Sequence, residues 1–196
     1  MLSVQKVLWV IMILMASLAA GCANSTVPAQ SNLLYLGATT PGNPVSTRTT
    51  TTIFPLEQET MQVTIYHATN DAMYLIPEIH IVPKNDYPAQ TAIELLLAGT
   101  KNMALVSVMP PDTKLRALWV KDHIAYVDFN DNLIKKNTGG STSELLLVAA
   151  IVNTLTEFPN IQKVQILVEG NKVDTIVGHM DTTQPLSRSE KIIKKL

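Results

Sequence analysis

Residues 145–152 are apolar on every side of a helical turn. A helix with no polar face has to be covered all round, so the chain must supply a sheet and other elements to enclose it. The block follows Gly139-Gly140 and Ser141-Thr142-Ser143-Glu144, a capping-box pattern: the Ser141 hydroxyl accepts the Glu144 amide and the Glu144 side chain reaches back. It ends at Phe158-Pro159, where proline stops the helix. Upstream, residues 62–66 alternate like a half-buried strand, and residues 74–82 form a second extended run in which Pro77 predicts an edge or a bulge. Pro88 opens a short amphipathic helix with Asp86 as its cap, Ile93, Leu96 and Leu97 on one face and Gly99 as its stop. Residues 115–121 and 124–129 alternate on either side of Asp122-His123, a two-residue hairpin tip. Beyond the buried helix, Val164, Ile166 and Val168 alternate, Glu169-Gly170-Asn171-Lys172 turns, and residues 173–177 read as a returning strand. A hairpin separates the two helices, so the pattern predicts an α+β two-layer sandwich, a mixed β-sheet with two helices on one face, over a doubly wound fold.

The ends of the chain have a different character. Lys6 precedes an apolar run, residues 7–20, which as a helix is about 21 Å long, short of the roughly 30 Å of a bilayer core. Positive start, apolar middle and small residues make an export signal. It leads into Leu18-Ala19-Ala20-Gly21-Cys22, which resembles the bacterial lipobox, and the single cysteine of the chain occupies the acylated position. Residues 1–21 are therefore expected as a lipoprotein signal peptide and Cys22 as the lipid-bearing, palmitate-type anchor at the outer face of the cell membrane. Two or more acyl chains hold a protein there stably. Residues 22–60 are rich in Ser, Thr, Pro, Asn and Gln and read as a flexible tether. Its reach as a coil is about 30–37 Å. Residues 61–187 form the expected domain, and residues 188–196, with Arg188, Lys191, Lys194 and Lys195, a basic tail.

Little in the chain points to chemistry. Fifteen basic and sixteen acidic residues give a net charge of −1, which offers no footprint for nucleic acid. His67, His80, His123 and His179 are scattered and lack cysteine partners, so no metal and no cofactor is expected. Asp122, Asp128 and Asp131 cluster in sequence around the hairpin, as carboxylates for a cation or sugar or simply as turn formers. Gly139-Gly140-Ser141 either holds an anion on free amides or just caps a helix. No serine has a nucleophile-elbow context. Asn153 and Thr154 sit on the apolar helix, where they either tie it to the sheet or face a partner protein. The candidate interaction residues are thus Asp122, His123, Asp128, Asp131, Asn153 and Thr154.

Several stretches, read in order, resemble the GerMN domain family: Val63-Thr64-Ile65-Tyr66, Ala92-Ile93-Glu94-Leu95-Leu96-Leu97-Ala98-Gly99, Met109-Pro110-Pro111-Asp112-Thr113, Val120-Lys121-Asp122-His123-Ile124, Asn153-Thr154-Leu155-Thr156-Glu157-Phe158-Pro159 and Val164-Gln165-Ile166-Leu167-Val168-Glu169-Gly170. The resemblance implies a fold similar to the ring-building domains of secretion systems. It also implies a non-enzymatic envelope factor of sporulation or spore germination that associates with itself or with other envelope proteins. The family usually has glycine where this chain has His123, and its namesake carries the domain twice where this chain has room for one. A cell-wall-acting enzyme using Asp122, Asp128 and Asp131 is the alternative, as is a ligand-binding sensor lobe. The first requires a cleft in which at least two carboxylates converge, and the second an enclosed pocket.

Overall fold

The computed structural model describes residues 58–195. Cys22, the signal peptide and nearly all of the expected tether lie outside them. The order is β1 (Thr60–Thr69), β2 (Leu75–Pro83), α1 (Pro88–Ala98), β3 (Leu105–Val106), β4 (Leu115–Lys121), β5 (Ile124–Phe129), α2 (Asn132–Lys135), α3 (Ser141–Leu155), β6 (Lys163–Val168), β7 (Asn171–Lys172) and β8 (Leu186–Ser187), with a 3-10 turn at Glu190–Ile192. This is an α+β fold, as the sequence pattern predicts. The strands divide, however, between two sheets. One is antiparallel with order β2-β1-β3. The other is mixed, with order β4-β5-β6-β7 and β8 also on β6. The parallel contact is β5 with β6, the pair separated in sequence by α2 and α3, consistent with the rule that parallel neighbours need a long crossover.

α3 is the centre of the molecule. From Leu146 through Leu155 every residue is buried, and the helix packs on β1, α1, β6 and β8. Leu147, Ile151 and Leu155 join Phe129, Leu133 and Ile166 in the main core. A smaller cluster of Val63, Ile65 and Ala92 seals α1 to the other face of β1. β1 is therefore buried without a break from Ile65 to Thr69, His67 and Thr69 included, because both its faces are covered.

The hairpin tip is as expected: Asp122 and His123 both have positive φ, 51° and 61°, the geometry of a two-residue turn whose twist suits its strands. His123 occupies it without glycine's freedom. Its carbonyl accepts the amides of Gln162 at 2.8 Å and Lys163 at 3.2 Å, pinning the tip to the start of β6.

Four local expectations are corrected. Asp86 does not cap α1: Tyr87 takes the cap position with Pro88 behind it, and the Tyr87 amide donates to Asn85 Oδ1 at 2.8 Å. The capping box at α3 is absent, for Gly140 is the cap residue and makes no side-chain bond. Residues 173–177 are not a strand, and the Ile176 and Val177 amides are drawn to the buried Glu144 carboxylate instead of a neighbouring ladder. The residues from 188 onward do not trail away: the Lys194 amide donates to the Leu75 carbonyl at 2.9 Å, and Ile193 bridges Leu75 in parallel. Among the described residues no helix is long and apolar enough to cross a membrane.

Candidate functional site

Glu144 sits in the first turn of α3 and is wholly buried. Its Oε1 accepts the amides of Ile176 at 2.8 Å and Val177 at 2.9 Å, and its Oε2 that of His179 at 2.8 Å. Burial pushes this carboxyl up, but the Val177, Ile176 and His179 amides together hold it below its ordinary value. It is ionised at neutral pH and clamps the loop after β7 to the main helix. The capping-box spacing identified the correct glutamate and the wrong partners.

The aspartates separate. Asp122 is exposed at the hairpin tip. Asp128 lies six residues further along β5, about 20 Å away at strand rise. It is almost buried, accepting the Gly170 amide at 2.8 Å and pairing with Arg116 at 3.3 Å. Arg116 also reaches Glu169 at 2.9 Å, and the Asp131 amide donates to Glu169 Oε1 at 3.1 Å. Asp131 itself pairs with Lys135 one turn on. These groups close the β5 end against the β6–β7 turn, each carboxylate already matched. Asp122 is therefore remote from the other two, and Asp128 and Asp131 are each matched by a cation, Arg116 and Lys135, instead of standing as the free acid and base that a wall-cleaving pair requires. Among the described residues no group of three or more His, Cys, Asp and Glu side chains is placed to hold a metal.

Asn153 and Thr154 face inward. Asn153 holds Ser189 at both ends, donating to its carbonyl at 3.0 Å and accepting its amide at 2.9 Å. Thr154 Oγ1 accepts the Tyr66 amide of β1 at 3.2 Å. Beside them Arg188 donates to the Asn153 carbonyl at 3.0 Å and the Tyr66 hydroxyl at 2.7 Å, and pairs with Glu157 at 2.8 Å. Tyr66 in turn donates to Glu157 at 2.6 Å. Burial and the Glu157 carboxylate push the Tyr66 hydroxyl up to about 12. The internal tie, one of the two readings of this pair, is the one the geometry realises.

Several large apolar side chains also remain outward. Ile79 and Ile81 on β2 are 59% and 67% exposed, and Tyr87 is 70% exposed. Trp119 on β4, 44% exposed, stacks on Tyr126 with ring centres 5.3 Å apart and planes 5° from parallel. Sequence reasoning read β2 only as an edge that Pro77 guards against pairing and placed no function on β4, since an alternating strand shows which residues face a core but not which face a helix leaves uncovered. A groove of about 490 Å³ runs along the α3 N-terminus, between Ser107 and Val108 on one side and Gly140 to Ser143 on the other.

Residues 64–174 match the family described as Germane: Sporulation and spore germination. The spore germination protein GerM of Bacillus subtilis (strain 168) is 28% identical over 125 residues, covering 61% of this chain and 33% of that protein. The match thus spans about a third of the curated relative's length. The tandem GerMN domains of the sporulation protein GerM from Bacillus subtilis superpose with a TM-score of 0.58 at 24% identity, over 74% of this chain and 51% of that one. Its first GerMN domain alone gives 0.57 at 24% identity, over 65% of this chain and 98% of that one. The two structures share the fold, and with the family match running from β1 past β7 the chain belongs to the Germane family of sporulation and spore germination proteins.

Proposed function

We propose that this protein is a lipid-anchored, extracytoplasmic docking factor of sporulation or spore germination, held to the membrane through Cys22 and working by contact with envelope proteins, not by catalysis. One observation carries the reading. Of the six candidate residues, Asp128, Asn153 and Thr154 are turned into the fold and matched there, Asp131 is paired with Lys135 and Asp122 and His123 stay at the exposed hairpin tip, while the apolar Ile79, Ile81, Tyr87 and Trp119 face outward. Such an inversion suits a surface that meets protein. The lipobox-like Leu18-Ala19-Ala20-Gly21-Cys22 supports the anchor. In a spore-forming host, deletion of the gene lowers spore yield or germination, and the wild-type chain restores it. A Cys22→Ala chain leaves the membrane fraction and fails to restore it. Mass spectrometry finding an unmodified Cys22 thiol or a retained leader refutes the anchor, and full rescue by Cys22→Ala refutes the need for it.

A further inference from the structure

β2 forms an edge of its sheet, and the hydrogen bonds at both ends of its ladder with β1 settle which of its backbone groups face outward. Lys84 donates to Glu59 at 2.9 Å and Thr69 to Tyr74 at 2.9 Å. Both pairs belong to the single register that also sets Val63 against His80 and Tyr66 against Pro77. Because hydrogen-bonded and non-hydrogen-bonded pairs alternate in an antiparallel ladder, the even-numbered residues of β2 bond β1 and the odd-numbered residues turn their N–H and C=O outward. Two other bonds agree. The Tyr66 amide points away from β2 to Thr154, and the outward carbonyl of Leu75 receives the Lys194 amide.

The outward-facing positions beyond Leu75 are therefore Pro77, Ile79, Ile81 and Pro83. The two prolines have no N–H to give, so the edge offers donors at Ile79 and Ile81 alone. Prolines on an edge are a common defence against unwanted pairing, and so are charges. Here the unprotected window carries two isoleucines, 59% and 67% exposed, with no strand against it among the described residues. A purely defensive edge would place lysine there.

The segment Pro77-Glu78-Ile79-His80-Ile81-Val82-Pro83 is palindromic in its outward positions about His80. An isologous twofold contact requires this symmetry, since residue i of one copy must suit residue j of the other and the reverse. We infer that β2 is a self-pairing edge that takes β2 of a second copy of this chain, antiparallel, with His80 on the twofold axis. In this register Ile79 exchanges two hydrogen bonds with Ile81 of the second copy, and Ile81 with its Ile79. All four free N–H groups find carbonyls. Pro77 faces Pro83, where no N–H is stranded and the carbonyls, at the ends of the paired stretch, are left to water. The four isoleucines meet on one face, and the two three-stranded sheets become one of six strands. A contact this short falls below the roughly 1,200 Å² of a standard interface, so it is weak in dilute solution and depends on the copies being concentrated together.

The inference rests on the docking reading above and names its partner. The test uses the full chain with Cys22→Ala, which leaves no native thiol, and His80→Cys, at about millimolar protein, the effective concentration that a short tether would supply. At a non-hydrogen-bonded pair on the axis the two Cα atoms lie about 4.5 Å apart, within disulfide range. Mild oxidation gives a disulfide-linked dimer from position 80 and none from Val82→Cys, which the same register places opposite Glu78. Adding Ile81→Lys, a change at an exposed side chain that leaves the circular dichroism melt unaltered, abolishes the dimer. No dimer from position 80, or an equal yield from position 82, overturns the self-pairing. Capture of envelope proteins by the Ile81→Lys chain reads the docking proposal separately: retained capture alongside no dimer at position 80 refutes self-pairing alone. Capture lost with Ile81→Lys, again with no dimer at position 80, means a foreign strand occupies the edge and equally overturns self-pairing.

Discussion

Replacing Glu144 probes the contact that the structure substitutes for a helix cap. The carboxylate is buried and accepts three amides from the loop after β7. In Glu144→Gln, Oε1 keeps the Ile176 and Val177 amides, but the new NH₂ group faces the His179 amide, so one charge-assisted bond is lost. Each such bond is worth about 1.5–3 kcal/mol. Glu144→Ala orphans all three donors and leaves a void; at about 1–3 kcal/mol for each buried donor left unsatisfied it costs at least about 3 kcal/mol, a large part of the 5–15 kcal/mol that typically holds a domain together. Urea unfolding of the three proteins ranks them wild type, Gln, Ala, and hydrogen exchange shows the 176, 177 and 179 amides losing protection first. Acid supplies a second signature. The folded-state carboxyl titrates below its unfolded value, so its contribution is present above about pH 4.5 and is lost as pH falls through the folded pKa. The wild type and Glu144→Gln curves accordingly converge in acid. Ser141→Ala, the other half of the expected capping box, changes stability by less than about 0.5 kcal/mol. Equal losses from Ser141→Ala and Glu144→Gln, or no loss from Glu144→Gln at pH 7, would refute the reasoning.

His67 is fully buried, and neither ring nitrogen has a hydrogen-bond partner among the described residues. Burial lowers its pKa; Glu78 raises it and His80 lowers it further, the net shift being downward. The unfolded chain therefore binds the proton first, and stability declines as pH drops below about 6.5, at up to about 1.4 kcal/mol per pH unit. In His67→Leu thermal melts between pH 7 and pH 5 lose that slope, and retention of the full slope counts against the assignment. Thr154→Val strands the Tyr66 amide and lowers the urea midpoint by the equivalent of about 1–3 kcal/mol; an unchanged midpoint would mean the bond contributes nothing. Arg188→Ala removes the guanidinium shared by Glu157, Tyr66 and the Asn153 carbonyl. Hydrogen exchange should then rise across residues 186–195 before the core opens, and simultaneous opening of both would contradict a separable strap.

Local pattern carried much of the fold. Alternation located β1, β4, β5 and β6, although packing covers both faces of β1 and β6, and the apolar block at 145–152 marked α3 as the most enclosed element. The turn at Asp122-His123 was legible because two-residue hairpins impose positive φ on their tips. Failures came where a residue's partner is distant in sequence. Glu144 fits a capping box locally, yet its acceptor oxygens serve amides more than thirty residues away. Asp122 and Asp128 are near in sequence and lie at opposite ends of an extended strand, so proximity along the chain misled.

Composition and periodicity alone settled that this is an α+β domain built round one enclosed helix, since which residues must avoid water is written in their side chains. Folding in three dimensions settled the division into two sheets, the inward turn of Asn153 and Thr154, and the outward face of β2. Each of these depends on which segment packs against which, and hydrogen bonds between residues far apart in the chain leave no local trace.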